Sequence, residues 1–138
     1  MEPIIHPNEL TDHLEWNESY YLAFYDKEKE IGAVSRLGFK PNKKEAMTFF
    51  FLFLPDGSGG GYFQEKKLKE FNESLKVKGM THDWKADGTW NYKFKGNIIL
   101  VDNTENLPEV RKNPKLISAA KNAELNIKFN PINEIYEY

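Results

Sequence analysis

The sequence has 138 residues, 40% of them hydrophobic, and its 19 basic and 21 acidic residues give a net charge of −2. A chain of this length buries about two thirds of its unfolded surface, so we expect one domain with one core over residues 1–138. The balanced charge argues against a nucleic-acid partner. The lack of cysteine excludes disulfides, thiolate catalysis and cysteine-ligated metals.

Four potential metal ligands lie near the start of the chain: His6, Glu9, Asp12 and His13. Their spacing matches no standard metal motif, because it does not place the two histidines on one helical face. The glycine-rich segment 55–61 lacks the Gly-Lys-Ser/Thr ending of a phosphate-binding loop and is interpreted as a hairpin connection. We therefore predict neither a metal site nor a cofactor.

The start of the chain also bears on its location in the cell. The first seven residues contain no basic segment followed by an apolar one, so a cytoplasmic protein without a cleaved signal peptide is expected. The longest apolar run, Met47 to Leu54, is much shorter than the roughly 20 residues that cross a membrane. No membrane span is predicted.

The first predicted elements form a hairpin. Residues 19–25 are apolar on both alternating sets, which indicates a strand buried on two sides, and residues 31–39 return after a charged turn. Arg36 falls on the same alternate set as Gly32 and Gly38, whose missing side chains leave room over that face. Arg36 is equally compatible with a contact to a carboxylate or ligand and with an ordinary surface position.

Four further strands are predicted over residues 47–54, 62–71, 73–84 and 89–101. For residues 62–71 an irregular edge, with a helix from Lys66 to Phe71, is the alternative. In residues 73–84 the apolar face switches near Gly79, which indicates a bulge or a sharp bend. Residues 89–101 alternate regularly between apolar and polar side chains, so one face should meet water. A short helix is predicted near residues 113–121 from Asn113-Pro114, followed by a last strand over residues 123–129.

This pattern predicts an all-β fold. About seven to nine antiparallel strands follow one another through short turns, with many inward aromatic side chains. Such a meander is typical of a barrel, and a barrel of about eight strands has room for side chains or one small ligand.

The segments 16–26, 31–32 and 36–42 carry a family resemblance: WNESYYLAFYD, Ile31-Gly32 and RLGFKPN. Together with residues 50–53 they resemble the lipocalin-like (calycin) superfamily that includes carotenoid hydratase-type, AttH-type and tocopherol cyclase-type proteins. The resemblance implies a lipocalin-like antiparallel β-barrel and a role in handling apolar isoprenoid- or lipid-like molecules. Members of that group look like two such domains in tandem, whereas this chain holds about one.

Two of the predicted strands suggest an assembly. Residues 19–25 and 47–54 are apolar on both faces, while residues 89–101 and 123–129 have a polar outer face. A lone barrel would leave the outer side of the first two strands exposed to water. We therefore predict a homodimer formed through strands 19–25 and 47–54.

The first functional hypothesis is the binding of an apolar small molecule in the barrel interior, with polar side chains orienting one end of the ligand. The predicted ligand-binding residues are Trp16, Asn17, Glu18, Tyr20, Tyr21, Phe24, Arg36, His82, Trp84, Trp90 and Tyr92. The alternative for the aromatic residues is that they simply fill the core.

Two other functions are compatible with the sequence. A hydratase, cyclase or isomerase acting on an apolar unsaturated substrate needs a carboxyl group with a raised pKa among aromatic rings, and Glu18 and Asp83 are the candidates. Their ordinary alternatives are an ion pair between Glu18 and Arg36 and turn hydrogen bonds for Asp83. The third possibility is a non-catalytic structural or protein-interaction module.

Overall fold

The computed structural model describes residues 14–69 and 75–132, and within these ranges it contains eight β-strands in one antiparallel sheet. The strands are β1 Glu18–Asp26, β2 Ile31–Lys40, β3 Glu45–Phe53, β4 Gly59–Lys67, β5 Lys76–Val77, β6 Met80–Trp84, β7 Trp90–Val101 and β8 Ile117–Phe129. Short 3₁₀ helices cover Pro41–Lys43, Thr104–Glu109 and Pro114–Leu116. The predicted all-β antiparallel fold is confirmed.

The sheet curls into a half-barrel, as expected of a lipocalin-like fold. Its strand order is β1-β2-β3-β4-β7-β6-β5, and β8 pairs with β7. In the described part of the chain β1 and β8 each pair with one neighbour only, so these two edges do not meet. No helix of that part is long and apolar enough to cross a membrane.

Strand β7 joins the two parts of the sheet. Its first five residues pair with β6, and its last three pair with β4, on the same edge. Between them Gly96 lies against the ring of Tyr62, whose hydroxyl accepts a hydrogen bond from the Gly79 backbone N–H at 3.2 Å. The opposite edge of β7 pairs with β8 along its whole length.

The core lies on the inner side of the curled sheet. Phe50 of β3 stacks on Phe94 of β7 with ring centroids 4.8 Å apart, and Tyr62 meets Phe94 edge-on at the same distance. The other core residues are Ala33, Leu37, Phe39, Ala46, Leu68, Leu75, Val77, Met80 and Ile98. Apolar contact between β3, β4 and β7 therefore stabilises the curved shape of the sheet.

The predicted strand 73–84 is a hairpin in the structure. β5 and β6 pair directly through Lys76 with Thr81 and Val77 with Met80. Lys78 takes the left-handed conformation with φ 52°, and a Cβ at Gly79 would overlap the carbonyl oxygen of Lys95. The switch of apolar face near Gly79 thus marks a turn tight enough to require glycine. Residues 70–74, which the strand predictions also touched, lie outside the described residues.

The prediction of a helix near residues 113–121 is wrong. Only Pro114–Leu116 form a 3₁₀ turn, and β8 begins at Ile117. Asn113 makes no side-chain cap hydrogen bond. The Asn-Pro signal marks the start of a helical turn, but pairing with the long edge of β7 then takes the chain into a strand.

Candidate functional site

The outer face of β1–β3 carries one group of side chains that could meet a ligand. Residues directly opposite each other in an antiparallel pair lie on the same face of the sheet, so the register defines cross-strand rows. One row contains Ser19, Gly38 and Met47, the next contains Tyr21, Arg36 and Phe49, and the following rows end in Phe51 and Phe53. The polar side chains of Ser19 and Arg36 therefore lie at one end of this face, and the aromatic rings of β3 extend from them towards the other end.

Arg36 is the central polar residue of this face. Its Nε and Nη2 groups donate hydrogen bonds of 3.0 and 2.8 Å to the hydroxyl oxygen of Ser19. Its guanidinium also lies over the ring of Tyr21, 5.6 Å from the centroid. These contacts hold the guanidinium in one orientation, and a fixed planar fork is what recognition of an oxyanion needs.

Ser19 links Arg36 to Asn17. A hydroxyl has two acceptor lone pairs and one proton, and Arg36 takes the acceptor capacity of Ser19. The Ser19 proton is then donated to the Asn17 side-chain oxygen at 3.0 Å. This fixes the Asn17 amide, because its oxygen faces Ser19 and its NH₂ group is directed away from it.

Gly38 leaves the space into which Arg36 extends. A Cβ at this position would lie 3.2 Å from Met47 Sδ and 3.3 Å from both Nε and Nη2 of Arg36. The side chain of Arg36 therefore lies across Gly38, as the glycines flanking it in the sequence suggested.

A half-open groove of about 540 Å³ surrounds this group. Its lining residues are Asn17, Arg36, Gly38, Lys40, Glu45, Ala46, Met47, Glu65, Lys66 and Lys67. Ion pairs join Lys40 to Glu15 at 2.6 Å and Lys67 to Glu45 at 3.5 Å. In contrast, Arg36 has no ion pair with a residue that the structure describes.

Glu15 is held at the edge of the groove by two lysines. Its carboxylate contacts Lys43 at 3.0 Å as well as Lys40. Hydrogen bonds and charge attraction from Lys40 and Lys43 lower the pKa of Glu15 to about 2. At neutral pH one negative charge therefore lies between the two lysines and compensates them in part.

A second group of predicted site residues lies on the inner side of β6 and β7. The register places His82 opposite Tyr92 and Trp84 opposite Trp90. His82 meets Tyr92 edge-on at 4.8 Å, Trp90 stacks on Tyr92 at 5.8 Å, and His82 Nε2 lies 3.4 Å from Ser35 Oγ. Trp84 Nε1 is buried without a hydrogen-bond partner among the described residues.

This inner cluster is uncharged at neutral pH. Burial lowers the pKa of His82 from 6.5 to about 4, although the nearby Asp83 carboxylate acts in the opposite direction. Burial also raises the pKa of Tyr92. A neutral imidazole between two aromatic strands is compatible with a core position as well as with contact to an apolar ligand.

The remaining predicted site residues are separated from both groups. Glu18 lies opposite Phe39 rather than Arg36, so the hydrogen bonds of Arg36 go to Ser19 instead. Tyr20 packs edge-on against Phe39 at 6.4 Å, and burial followed by the charge of Glu18 raises its pKa to about 12. Phe24 packs on the core, and Trp16 is half-buried just before β1.

Asp83, the other candidate acid, points away from the inner cluster. It lies in an ion pair with Lys93, with 3.4 Å between Lys93 Nζ and Asp83 Oδ2, and 39% of its side chain is exposed. A carboxylate beside an ammonium group at the surface is suited to an ion pair rather than to proton donation in an apolar site.

The inner side of the sheet is filled by side chains. Phe39, Phe94, Leu37 and Met80 are each at most 1% exposed. The groove beside Arg36 and a second groove of about 380 Å³ beside Lys76, Lys78 and Lys95 both open to solvent. Of the predicted site residues, Asn17 and Arg36 therefore line an open outer groove, whereas His82, Trp84, Trp90 and Tyr92 form a separate inner cluster.

No metal cluster accompanies either group. Within residues 14–69 and 75–132, no three His, Asp or Glu side chains are arranged to hold a metal ion. The N-terminal candidates His6, Glu9, Asp12 and His13 lie outside the described residues.

Sequence reasoning missed Ser19, Met47 and the acidic walls Glu45 and Glu65 of the groove. Ser19 was visible only as part of a strand, although it shares the alternate set of Tyr21. Its role depends on which residue of β2 lies opposite, and pairing with Gly38 brings Arg36 within reach.

Comparison with known proteins places the chain by family. No curated protein and no solved structure matches it. One family model matches residues 5–138, which is nearly the whole chain. The protein therefore belongs to the family described as a domain of unknown function, DUF7064.

Proposed function

We propose that this protein binds an apolar small molecule with one polar end, and that the ligand lies along the outer face of β1–β3. The observation that carries the proposal is the fixed guanidinium of Arg36, which lines an open groove and lies beside the exposed ring of Tyr21 and the half-buried ring of Phe49. Binding sites of this kind combine apolar walls with a few well-placed polar groups.

The aromatic part of the site follows from the cross-strand rows. Tyr21 is 62% exposed and lies opposite Arg36, while Phe49 lies opposite Arg36 on the other side. Phe49 stacks on Phe51 with ring centroids 5.0 Å apart, which extends the apolar surface along β3. A ligand with its polar end beside Arg36 would cover these rings, and covering apolar surface supplies binding free energy.

The family resemblance supports the same class of ligand. Carotenoid hydratase-type and AttH-type proteins handle apolar isoprenoid-like molecules, and residues 16–42, which carry the resemblance, include Asn17, Ser19, Tyr21 and Arg36. In this proposal those residues form the ligand site, and the inner aromatic cluster serves the core.

Filling the groove tests the location of the site. Gly38→Leu should place a side chain where Arg36 now lies and weaken binding of octanoate about tenfold or more, which corresponds to 1.4 kcal/mol. Isothermal titration calorimetry measures the affinity, and for a ligand of this size we expect a Kd of about 1 mM or tighter.

The matched control is Gly32→Leu, on the same strand and the same face but beside Tyr25 and Phe53. It should leave octanoate affinity unchanged, provided that circular dichroism shows both variants folded. Equal affinity of Gly38→Leu and the wild-type protein would contradict the proposed site.

We also propose that a second copy of the chain covers the far end of this face. Tyr25 and Phe53 are 65% and 41% exposed and lie on either side of Gly32, away from Arg36. The helix Thr104–Glu109 covers β4 by placing Leu107 against Gly61, but no described residue covers Tyr25 in this way. A two-fold contact would bury the same apolar patch of both copies.

Light scattering tests the dimer. The wild-type protein at micromolar concentration should have about twice the 16.1 kDa chain mass, and Phe53→Lys should have the mass of one chain. Phe129→Lys is the control, since Phe129 is a similarly exposed phenylalanine on β8. A single-chain mass for the wild-type protein would rule the dimer out.

A further inference from the structure

The hydrogen bonds of Arg36 define which part of its guanidinium remains available. The group has five N–H donors, and Ser19 accepts from Nε and from one hydrogen of Nη2. Both hydrogens of Nη1 and the second hydrogen of Nη2 are left, and one hydrogen of each nitrogen lies on the terminal edge of the guanidinium. This edge can bind both oxygens of a carboxylate in parallel.

Asn17 adds a second donor beside this fork. Its oxygen is engaged by the Ser19 hydroxyl, so its NH₂ group is the part left to interact with a ligand. Asn17 and Arg36 both line the groove. The Asn17–Ser19–Arg36 chain thus presents N–H donors, and an oxyanion accepts from such donors.

The charges around the groove favour a ligand with a single negative charge. Lys67 is in an ion pair with Glu45, and Lys40 shares the single carboxylate of Glu15 with Lys43. Glu65 lines the same groove and makes no ion pair with a described residue. Lys66 lines the groove beside Glu65 and carries the opposite charge, so a ligand with one negative charge matches the positive charge of Arg36.

We infer that the polar end of the ligand is a carboxylate, held by the Nη1 and Nη2 edge of Arg36 and by the Asn17 amide. The ligand class is an apolar carboxylic acid whose carbon skeleton lies on Tyr21 and Phe49. This inference rests on the proposed function, because it assigns the chemistry of the same site.

Three probes with one carbon chain test the inference: octanoate, 1-octanol and octylammonium. Calorimetry on the full chain should show octanoate binding about tenfold to a hundredfold more tightly than 1-octanol, as expected for a charge-assisted hydrogen bond. Octylammonium should bind more weakly than 1-octanol. Equal affinity for octanoate and 1-octanol would overturn the carboxylate assignment but leave the apolar site intact, while absence of binding by all three would overturn both.

Two arginine variants locate the effect. Arg36 and Arg111 are the two arginines of the sequence, and each lies over an aromatic ring, with Arg111 4.6 Å from the centroid of Phe63. Arg36→Met should reduce the ratio of octanoate to 1-octanol affinity to about one. Arg111→Met removes the same charge from the chain and should leave the ratio at its wild-type value.

Arg36→Lys separates geometry from charge. Lysine keeps the positive charge but lacks the fork, so the affinity ratio should fall between those of the wild-type protein and Arg36→Met. Arg36→Met and Arg36→Lys both retaining the wild-type ratio would overturn the inference. The comparison of probes on the wild-type protein decides the ligand class even where a variant fails to fold.

Discussion

Replacing Phe94 by alanine should lower the free energy of unfolding by about 3–5 kcal/mol, the usual cost of removing a buried phenylalanine. Phe94 is 1% exposed and its ring contacts Phe50 and Tyr62, each with centroids 4.8 Å apart. These contacts join β7 to β3 and β4 at the point where the sheet curls. The cavity left by alanine would remove aromatic packing on both sides at once.

Chemical denaturation followed by tryptophan fluorescence measures this loss. Phe129→Ala is the matched control, because Phe129 is 49% exposed at the end of β8 and its removal should cost about 1 kcal/mol or less. Phe94→Leu should fall between the two, which keeps the test available if alanine prevents folding. Equal losses for Phe94→Ala and Phe129→Ala would contradict a core centred on β7.

Acidification should destabilise the fold through His82. Burial lowers the pKa of His82 from 6.5 to about 4, and the side chain is 3% exposed, so the folded state favours the neutral ring. The unfolded state binds a proton below about pH 6.5. The contribution of His82 is therefore complete above pH 6.5 and is lost as the pH falls towards 4, amounting to about 3 kcal/mol.

The comparison with His82→Gln isolates this effect from other titrating groups. From pH 7 to pH 4 the wild-type protein should lose about 3 kcal/mol of unfolding free energy relative to this variant, because glutamine does not titrate. Urea denaturation at several pH values gives both curves. A difference that does not change with pH would show that His82 is not held neutral by burial.

Alternation of apolar and polar residues predicted a strand well where one face of that strand is buried and the other is exposed. Residues 89–101 alternate apolar and polar side chains, and β7 covers Trp90–Val101 with Tyr92, Phe94 and Ile98 buried. Gly79 also correctly indicated a sharp change of chain direction, because the turn at this position has no room for a Cβ. The helix predicted near residues 113–121 was wrong for the opposite reason, since the edge of β7 that recruits residues 117–121 is distant in sequence.

The site was only partly predictable. Arg36 was predicted as a site residue because it lies in a strand between two glycines, and the structure places it in a groove with Asn17. Sequence reasoning grouped these residues with His82 and Trp84, which lie on the inner side of the sheet. Strand register decides which face of the sheet a side chain occupies, because a shift of one residue moves it to the other face. Register is set by pairing between strands rather than by the local sequence pattern.

Nuclear magnetic resonance titration of the labelled protein with octanoate tests whether the ligand lies on the outer face of β1–β3 beside Arg36. We expect the signals of the Asn17 side-chain amide, the Arg36 Nε–H and the Gly38 backbone amide to shift, and the indole N–H signals of Trp84 and Trp90 to remain unchanged. Shifts of the two indole signals without change at Asn17 and Arg36 would contradict this expectation, and would place the ligand on the inner side of the sheet.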